Sequence, residues 1–76
     1  MQSPPAMALV QRLDLFNSLR PGDQVLVRFG SRGSQAAVID KWTRDGNCLA
    51  RKYRERSRSY TKPVRIHPDE VLRRLD

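Results

Sequence analysis

The sequence predicts a mainly β fold, in which a small five-stranded barrel follows an N-terminal α-helix. Before residue 20 the apolar residues repeat at helical spacing, whereas further on they alternate with polar residues in short runs. Turn-forming residues separate these runs at the regular intervals that are typical of small barrels. The 76 residues are enough for one domain, which buries only about 60% of the surface that its unfolded chain exposes.

The N-terminal helix is predicted over residues 6–19, after a flexible end at residues 1–5. Leu9, Leu13 and Phe16 lie at positions i, i+4 and i+7, which places them on one helical face. The Arg-Pro-Gly sequence that follows should end the helix, because a proline ring blocks continuation. We expect the apolar face to pack on the rest of the domain; the alternative is contact with another chain.

The barrel is predicted over residues 20–76, and alternating apolar and polar residues define most of its strands. Four strands are predicted at residues 25–29, 36–42, 48–54 and 63–67. A glycine-containing turn at 30–34 and an Asp-Gly turn at 44–47 separate the first three.

The C-terminal part of the chain should complete the barrel. In the fourth strand, Val64 and Ile66 are expected to face inward, with the intervening arginine outward. One helical turn is predicted to start at Pro68, and Val71 or Leu72 closes the chain together with the last leucine.

The charge is concentrated in the second half of the chain. The net charge is +7, and residues 44–65 hold eight cations against two carboxylates, whereas residues 1–27 are neutral. Such asymmetry favours an acidic partner. Twelve of the fifteen cations are arginine, whose planar fork of donors matches phosphate. Codon usage in a GC-rich genome is the alternative explanation for the arginine excess.

Residues 20–30, RPGDQVLVRFG, and the AAVI sequence at 36–39 resemble the opening of an SH3-like barrel. KOW-type modules and the C-terminal DNA-binding domains of retroviral-type integrases share the Gly-Asp pair, here at 22–23, before a Val-x-Val strand, here at 25–27. The resemblance extends over residues 20–76. It implies a five-stranded barrel that often binds RNA, DNA or ribonucleoprotein, although many relatives bind proteins only.

The most basic stretch is residues 51–60, RKYRERSRSY, with five cations and one carboxylate. If it continues as a strand, four of its cations share one face with Tyr60 at a spacing of about 6.6 Å, close to that of successive phosphates. Tyr53 then faces the core. If the stretch is instead a hairpin tip, the cations form a mobile cluster that still reaches phosphates.

We therefore predict a non-enzymatic module that binds DNA or RNA through its phosphates, with a surface that Arg28 and Arg32 extend. Trp42 and Tyr60 are the candidates for stacking on bases. The predicted nucleic-acid-binding residues are Lys41, Trp42, Arg44, Arg51, Lys52, Arg54, Arg56, Arg58, Tyr60, Lys62 and Arg65.

Other chemistry is sparse in this sequence. His67 has no nucleophile or metal ligand at a recognisable spacing, so neither a catalytic site nor a metal site is predicted. Cys48 is the single cysteine and should be a buried, inert thiol. We expect no cofactor, no membrane contact and a cytoplasmic location, since no signal peptide or apolar span stands out.

The competing hypothesis is a protein-interaction module. Its basic face would dock an acidic protein, or its N-terminal helix would pair with another chain. The sequence leaves the oligomeric state open.

Overall fold

The structure is a computed structural model, and it describes residues 9–31 and 33–75. The predicted flexible end at 1–5, the first residues of the predicted helix and Arg32 lie outside the described residues. The fold is mainly β. Its elements are helix α1 (Leu9–Asn17), strands β1 (Gln24–Phe29), β2 (Gly33–Trp42), β3 (Cys48–Arg54), β4 (Ser59–Tyr60) and β5 (Val64–Ile66), a 3-10 turn (Pro68–Glu70), and strand β6 (Val71–Leu75).

The six strands form one antiparallel sheet in the order β4-β3-β2-β1-β6. Strand β5 also pairs with β3, through Cys48–Ala50, so β4 and β5 share the same edge of β3. Both β5 and β6 lie at sheet edges, and only the 3-10 turn joins them. In a flat sheet these strands would be about 19 Å apart, four spacings of ~4.8 Å. The short connection therefore requires a strongly bent sheet.

The prediction of a mainly β fold is confirmed, but the structure differs from the predicted five-stranded barrel in two respects. Six strands form, and no ladder joins β5 to β6 within the described residues, so the sheet does not close into a barrel. The two strands that sequence analysis missed are β4 and β6. Strand β4 has only two residues, too few for a periodic pattern. In β6 the pairing with β1 shifts between Leu26 and Val27, and this irregularity breaks the alternation of apolar and polar residues.

The inner face of the sheet supplies most of the core. The buried strand residues are Val25, Val27, Ala37, Ile39, Cys48, Ala50, Ile66 and Val71. Val64 was expected to face inward as well, and it pairs with Ala50 on that side. It is nevertheless 38% exposed, because it begins an edge strand at the rim of the sheet.

The last turn of helix α1 packs against the core of the sheet. It ends at Asn17, two residues before the predicted end, because the N–H of Leu19 bonds the carbonyl of Phe16 at 3.2 Å and tightens the chain. Phe16 and Leu19 are buried in the core. Leu13, predicted to lie on the same apolar face, is 39% exposed instead.

A helix–sheet junction, formed by Ser18, Leu19, Asp23, Trp42 and Arg74, holds α1 in place. The indole N–H of Trp42 donates to the carbonyl of Leu19 at 2.8 Å, and its ring meets that of Phe16 edge to face at 5.1 Å. The guanidinium of Arg74 donates to the Asp23 carboxylate at 2.7 Å and to the Ser18 hydroxyl at 2.8 Å.

Candidate nucleic-acid interface

The basic stretch folds as a hairpin. Strand β3 ends at Arg54, β4 begins at Ser59, and the N–H of Arg58 bonds the carbonyl of Glu55 at 3.3 Å across the loop. Arg58 has φ +51°, the left-handed conformation that turns the chain back. A continuous strand across this segment was therefore a wrong alternative, and the hairpin alternative is confirmed. Residues 54–58 are all exposed, and we call them the basic tip.

The two tyrosines lie together beside the basic tip. Tyr53 and Tyr60 are direct cross-strand partners, so both point to the same side of the sheet, and their rings meet edge to face at 5.2 Å. This side is the outer face, which we define as the face turned away from the core. Tyr60 therefore does not share a face with Lys52 and Arg54, and Tyr53 does not point to the core as predicted.

Further cations lie on the outer face. Cross-strand register pairs them with apolar residues: Arg51 with Val38, Arg73 with Leu26, and both Lys41 and Arg65 with Leu49. These three apolar residues are only half-buried, and their register partners have long alkyl stems of the kind that cover such neighbours while the charge stays in water. The same register puts Arg28 opposite Ser34.

Arg73 was missed by sequence analysis because it belongs to the unrecognised strand β6. It lies next to β1, which begins almost fifty residues earlier in the chain. The only sequence signal is its place one residue after Leu72, in a run that alternates imperfectly.

Carboxylates neutralise some of the predicted cations. Within residues 9–31 and 33–75 three ion pairs form: Arg51 with Asp40 at 3.4 Å, Lys52 with Glu70 at 3.8 Å, and the junction pair of Arg74. Lys52 points to the inner side, toward the 3-10 turn, so it is separated from the outer face. The three arginines of the basic tip form no ion pair in the described part of the chain, and neither does Arg65 or Lys62.

Three predicted residues lie far from the basic tip. Lys41, Trp42 and Arg44 lie at the other end of β3, about 20 Å away, six residues at ~3.3 Å each. The predicted Asp-Gly turn is present there, with Gly46 at φ +85°. Trp42 is half-buried and packs in the helix–sheet junction, so the structure gives it a packing role in place of the predicted base stacking.

An open groove of about 730 Å³ adjoins the basic tip. Tyr53, Arg54, Arg56 and Lys52 contribute to its walls, together with Gln35 from β2. The side-chain amide of Gln35 donates to the carbonyl of Tyr53 at 3.1 Å, which ties the groove to β3. Its volume falls within the range of roughly 300–1,000 Å³ that is usual for pockets of small ligands.

The two remaining residues with reactive side chains are Cys48, which lies in the core, and His67, which precedes the 3-10 turn. Burial raises the pKa of the Cys48 thiol to about 11, in agreement with the expected inert thiol. His67 is exposed, and its backbone N–H donates to the Glu70 carboxylate at 2.9 Å, which caps the 3-10 turn. The described residues contain no group of three or more side chains that could hold a metal ion. None of their helices is long and apolar enough to cross a membrane.

A scan of this chain against protein-family models found no match, and searches of curated proteins and of solved structures found none either. Function must therefore be inferred from the side chains and their arrangement.

Proposed function

We propose that this protein is a small non-enzymatic module that binds DNA or RNA through the phosphate backbone. The observation that supports it best is the basic tip, where Arg54, Arg56 and Arg58 are exposed and Glu55 is the only carboxylate. Arginine forks form bidentate, charge-assisted hydrogen bonds with phosphate oxygens. The outer face adds Arg65 and Arg73, which form no ion pair within the described residues, and Arg51, which pairs with Asp40. The proposed contact surface therefore extends from the tip onto the sheet.

The energetics of the basic tip favour a polyanionic partner. Neighbouring like charges repel, and salt screens this repulsion only beyond about 8 Å under physiological conditions. Arg58 also adopts a left-handed backbone conformation that costs a residue other than glycine roughly 1–2 kcal/mol. Strain of this kind accumulates at functional sites. A bound phosphate chain would neutralise the arginines and so remove their repulsion. If the loop only faced solvent, nothing would compensate for this repulsion.

The fold proposal that accompanies this function is an SH3-like barrel with one open seam. Its support is the bent antiparallel sheet, in which the 3-10 turn connects the two edge strands β5 and β6. Such a barrel presents its outer sheet face and its hairpin loops to partners.

An acidic protein is the second candidate partner. The half-buried apolar residues of the outer face, Leu26, Val38 and Leu49, favour it, because protein interfaces combine apolar area with charge complementarity.

The test is binding to fluorescent single-stranded and duplex probes of DNA and RNA between about 50 and 200 mM salt. With about five phosphates engaged, log K falls against log salt with a slope near −4. The variant Arg56→Ala/Arg58→Ala should weaken binding and reduce the slope by about 1.5. Arg20→Ala/Arg44→Ala is the charge-matched control, since both of its positions are exposed and lie away from the basic tip.

Equal losses in the two double variants would show that only net charge matters and would contradict a site at the basic tip. Affinity weaker than about 100 μM at physiological salt, alike for all probes, would be ordinary non-specific attraction. That result would contradict nucleic acid as the partner and leave the acidic protein.

A further inference from the structure

We infer that the preferred ligand is single-stranded, and that Tyr60, supported by Tyr53, is the surface on which one of its bases stacks. This inference rests on the proposed nucleic-acid binding and specifies its substrate class. It depends on three observations: the exposure of the Tyr60 ring, the geometry of the tyrosine pair, and the position of that pair among the cations.

The Tyr60 ring is available to a ligand. Its residue is 50% exposed, more than Leu13 at 39% and Val64 at 38%. Its contact with Tyr53 is edge to face, with 63° between the ring planes. Such a contact covers one face of one ring, so the pair leaves π surface uncovered. A base is a flat ring that stacks on such a surface, whatever its sequence.

The pair is also held in a fixed orientation. Cross-strand register places the two rings opposite each other, and the N–H of Thr61 continues the pairing by donating to the carbonyl of Lys52 at 2.8 Å. The amide of Gln35 anchors the carbonyl of Tyr53 from the other side. A ring that is already ordered loses little entropy when a base stacks on it.

Arginines lie on both sides of the tyrosine pair: Arg51 on the outer face of β3, where it also pairs with Asp40 at 3.4 Å, and Arg58 in the loop of the hairpin. Arg51 is two residues before Tyr53 on β3, about 6.6 Å along the strand, and Arg58 is two residues before Tyr60. Arg51 and Arg58 are therefore about 13 Å apart along the hairpin, roughly two phosphate spacings of an extended strand, with one nucleotide between. A single strand can therefore place a phosphate near each arginine while the base between them meets the Tyr60 ring.

A duplex does not fit this arrangement equally well. Its bases are stacked on each other, so only the backbone would reach the basic tip, and the tyrosines would contribute no stacking. Base–aromatic stacking typically stabilises binding by roughly 1–3 kcal/mol per base, which corresponds to about five- to 150-fold in affinity.

The test compares Tyr60→Leu with Tyr60→Phe, using single-stranded oligo(dT) and oligo(U) of about 12 nucleotides and a duplex of the same length. The leucine variant should lose at least about fivefold in affinity for the single strands, with an unchanged salt slope, because stacking releases no counterions. Its duplex affinity should not change. The phenylalanine variant should bind like the wild type. Val64→Ala is the control for loss of an exposed apolar group elsewhere, and should bind normally.

A second measurement uses the unmodified protein, in case the leucine variant unfolds. An oligonucleotide that contains 5-iodouracil is bound and irradiated, and the crosslinked residue is identified by mass spectrometry. A crosslink to Tyr60 or Tyr53 supports the inference, and crosslinks confined to other residues overturn it.

Failure of this inference is distinguishable from failure of the proposed function. Steep salt slopes for both single strands and duplex, with no effect of Tyr60→Leu, would overturn the stacking inference and leave phosphate binding intact. No binding to any probe above the non-specific level would overturn both.

Discussion

The helix–sheet junction and the basic tip both contain arginine, but these arginines have opposite surroundings. Arg74 at the junction donates to a carboxylate and a hydroxyl within 2.8 Å. The three arginines of the basic tip are exposed and form no ion pair within the described residues. Charge that is satisfied by the protein stabilises the fold, whereas charge that is left unsatisfied on an exposed hairpin remains available to a partner. We therefore expect substitutions at the junction to change the free energy of unfolding, and substitutions at the basic tip to change the affinity for nucleic acid.

The largest expected effect is on the junction, through Trp42→Ala. Removing the ring deletes its contact with Phe16 and its hydrogen bond to Leu19, and should lower the free energy of unfolding by about 3 kcal/mol. A domain of 76 residues has only about 4–11 kcal/mol in total. Urea unfolding followed by far-UV circular dichroism measures the loss.

Trp42→Phe is the matched control, because it keeps a ring but removes the N–H donor, and it should cost less than the alanine variant. Nucleic-acid affinity of the folded fraction should stay at the wild-type value in both. A large loss of affinity in the folded Trp42→Ala variant would contradict the separation of the two regions.

The second effect concerns the acid stability of the junction. The pKa of Asp23 lies below its ordinary value of 3.8, mainly because the carboxylate accepts a hydrogen bond from the backbone N–H of Arg20. Desolvation, the next largest effect, raises the pKa, and the hydrogen bond and charge of Arg74 lower it further. At pH values between the lowered pKa of the folded state and 3.8, the unfolded chain therefore binds more protons than the folded one. The stabilisation is complete above about pH 5 and is lost as the pH falls through the lowered pKa.

Asp23→Asn should consequently be less stable than the wild type at pH 7, and this difference should shrink as the pH is lowered from 4 toward 2. Thermal unfolding at a series of pH values measures it. Asp14→Asn, at an exposed position on α1, is the control. A stability difference that stays constant over the acid range would contradict the role given to the Asp23 carboxylate.

The smallest expected effect is at the basic tip, through Arg58→Gly. Glycine adopts the observed positive φ without strain, so the variant should be more stable by about 0.5 kcal/mol after the entropy cost of glycine is subtracted. It should nevertheless bind nucleic acid less tightly, since one phosphate contact is lost. Arg56→Gly is the control in the same loop, because Arg56 has no positive φ that glycine would relieve. Loss of stability in Arg58→Gly would show that the arginine supports the hairpin itself.

Local patterns predicted a large part of the fold. The bounds of β3, the Asp-Gly turn and the turn at residues 68–70 agree with the structure, because each depends on residues that are close in sequence. The outer-face position of Tyr60 was not predictable in the same way. It depends on the four-residue loop and on the left-handed conformation of Arg58, and a shift of one residue in register would have put Tyr60 on the other face.

The candidate site was predicted in composition but not in arrangement. The basic stretch was identified correctly as the most charged segment. The separation of Lys41, Trp42 and Arg44 from the basic tip follows from the length of β3, so it was already implied by the predicted hairpin. The addition of Arg73 follows instead from the pairing of β6 with β1, and partners so far apart in the chain leave no local signal. The same is true of the carboxylates of Asp40 and Glu70, which neutralise two of the predicted cations.

Because Cys48 is buried, the rate at which a reagent alkylates its thiol reports how often the sheet opens around it. At pH 8 a thiol with a pKa of about 11 is a thiolate in only about one molecule in a thousand, and here it is also fully buried. Alkylation must therefore wait for β3 to separate from its neighbours, and its rate measures how often that happens. Because β3 leads directly into the basic tip, a ligand bound at the tip should slow the alkylation of Cys48. The alkylation rate therefore reports ligand binding without a label on the protein.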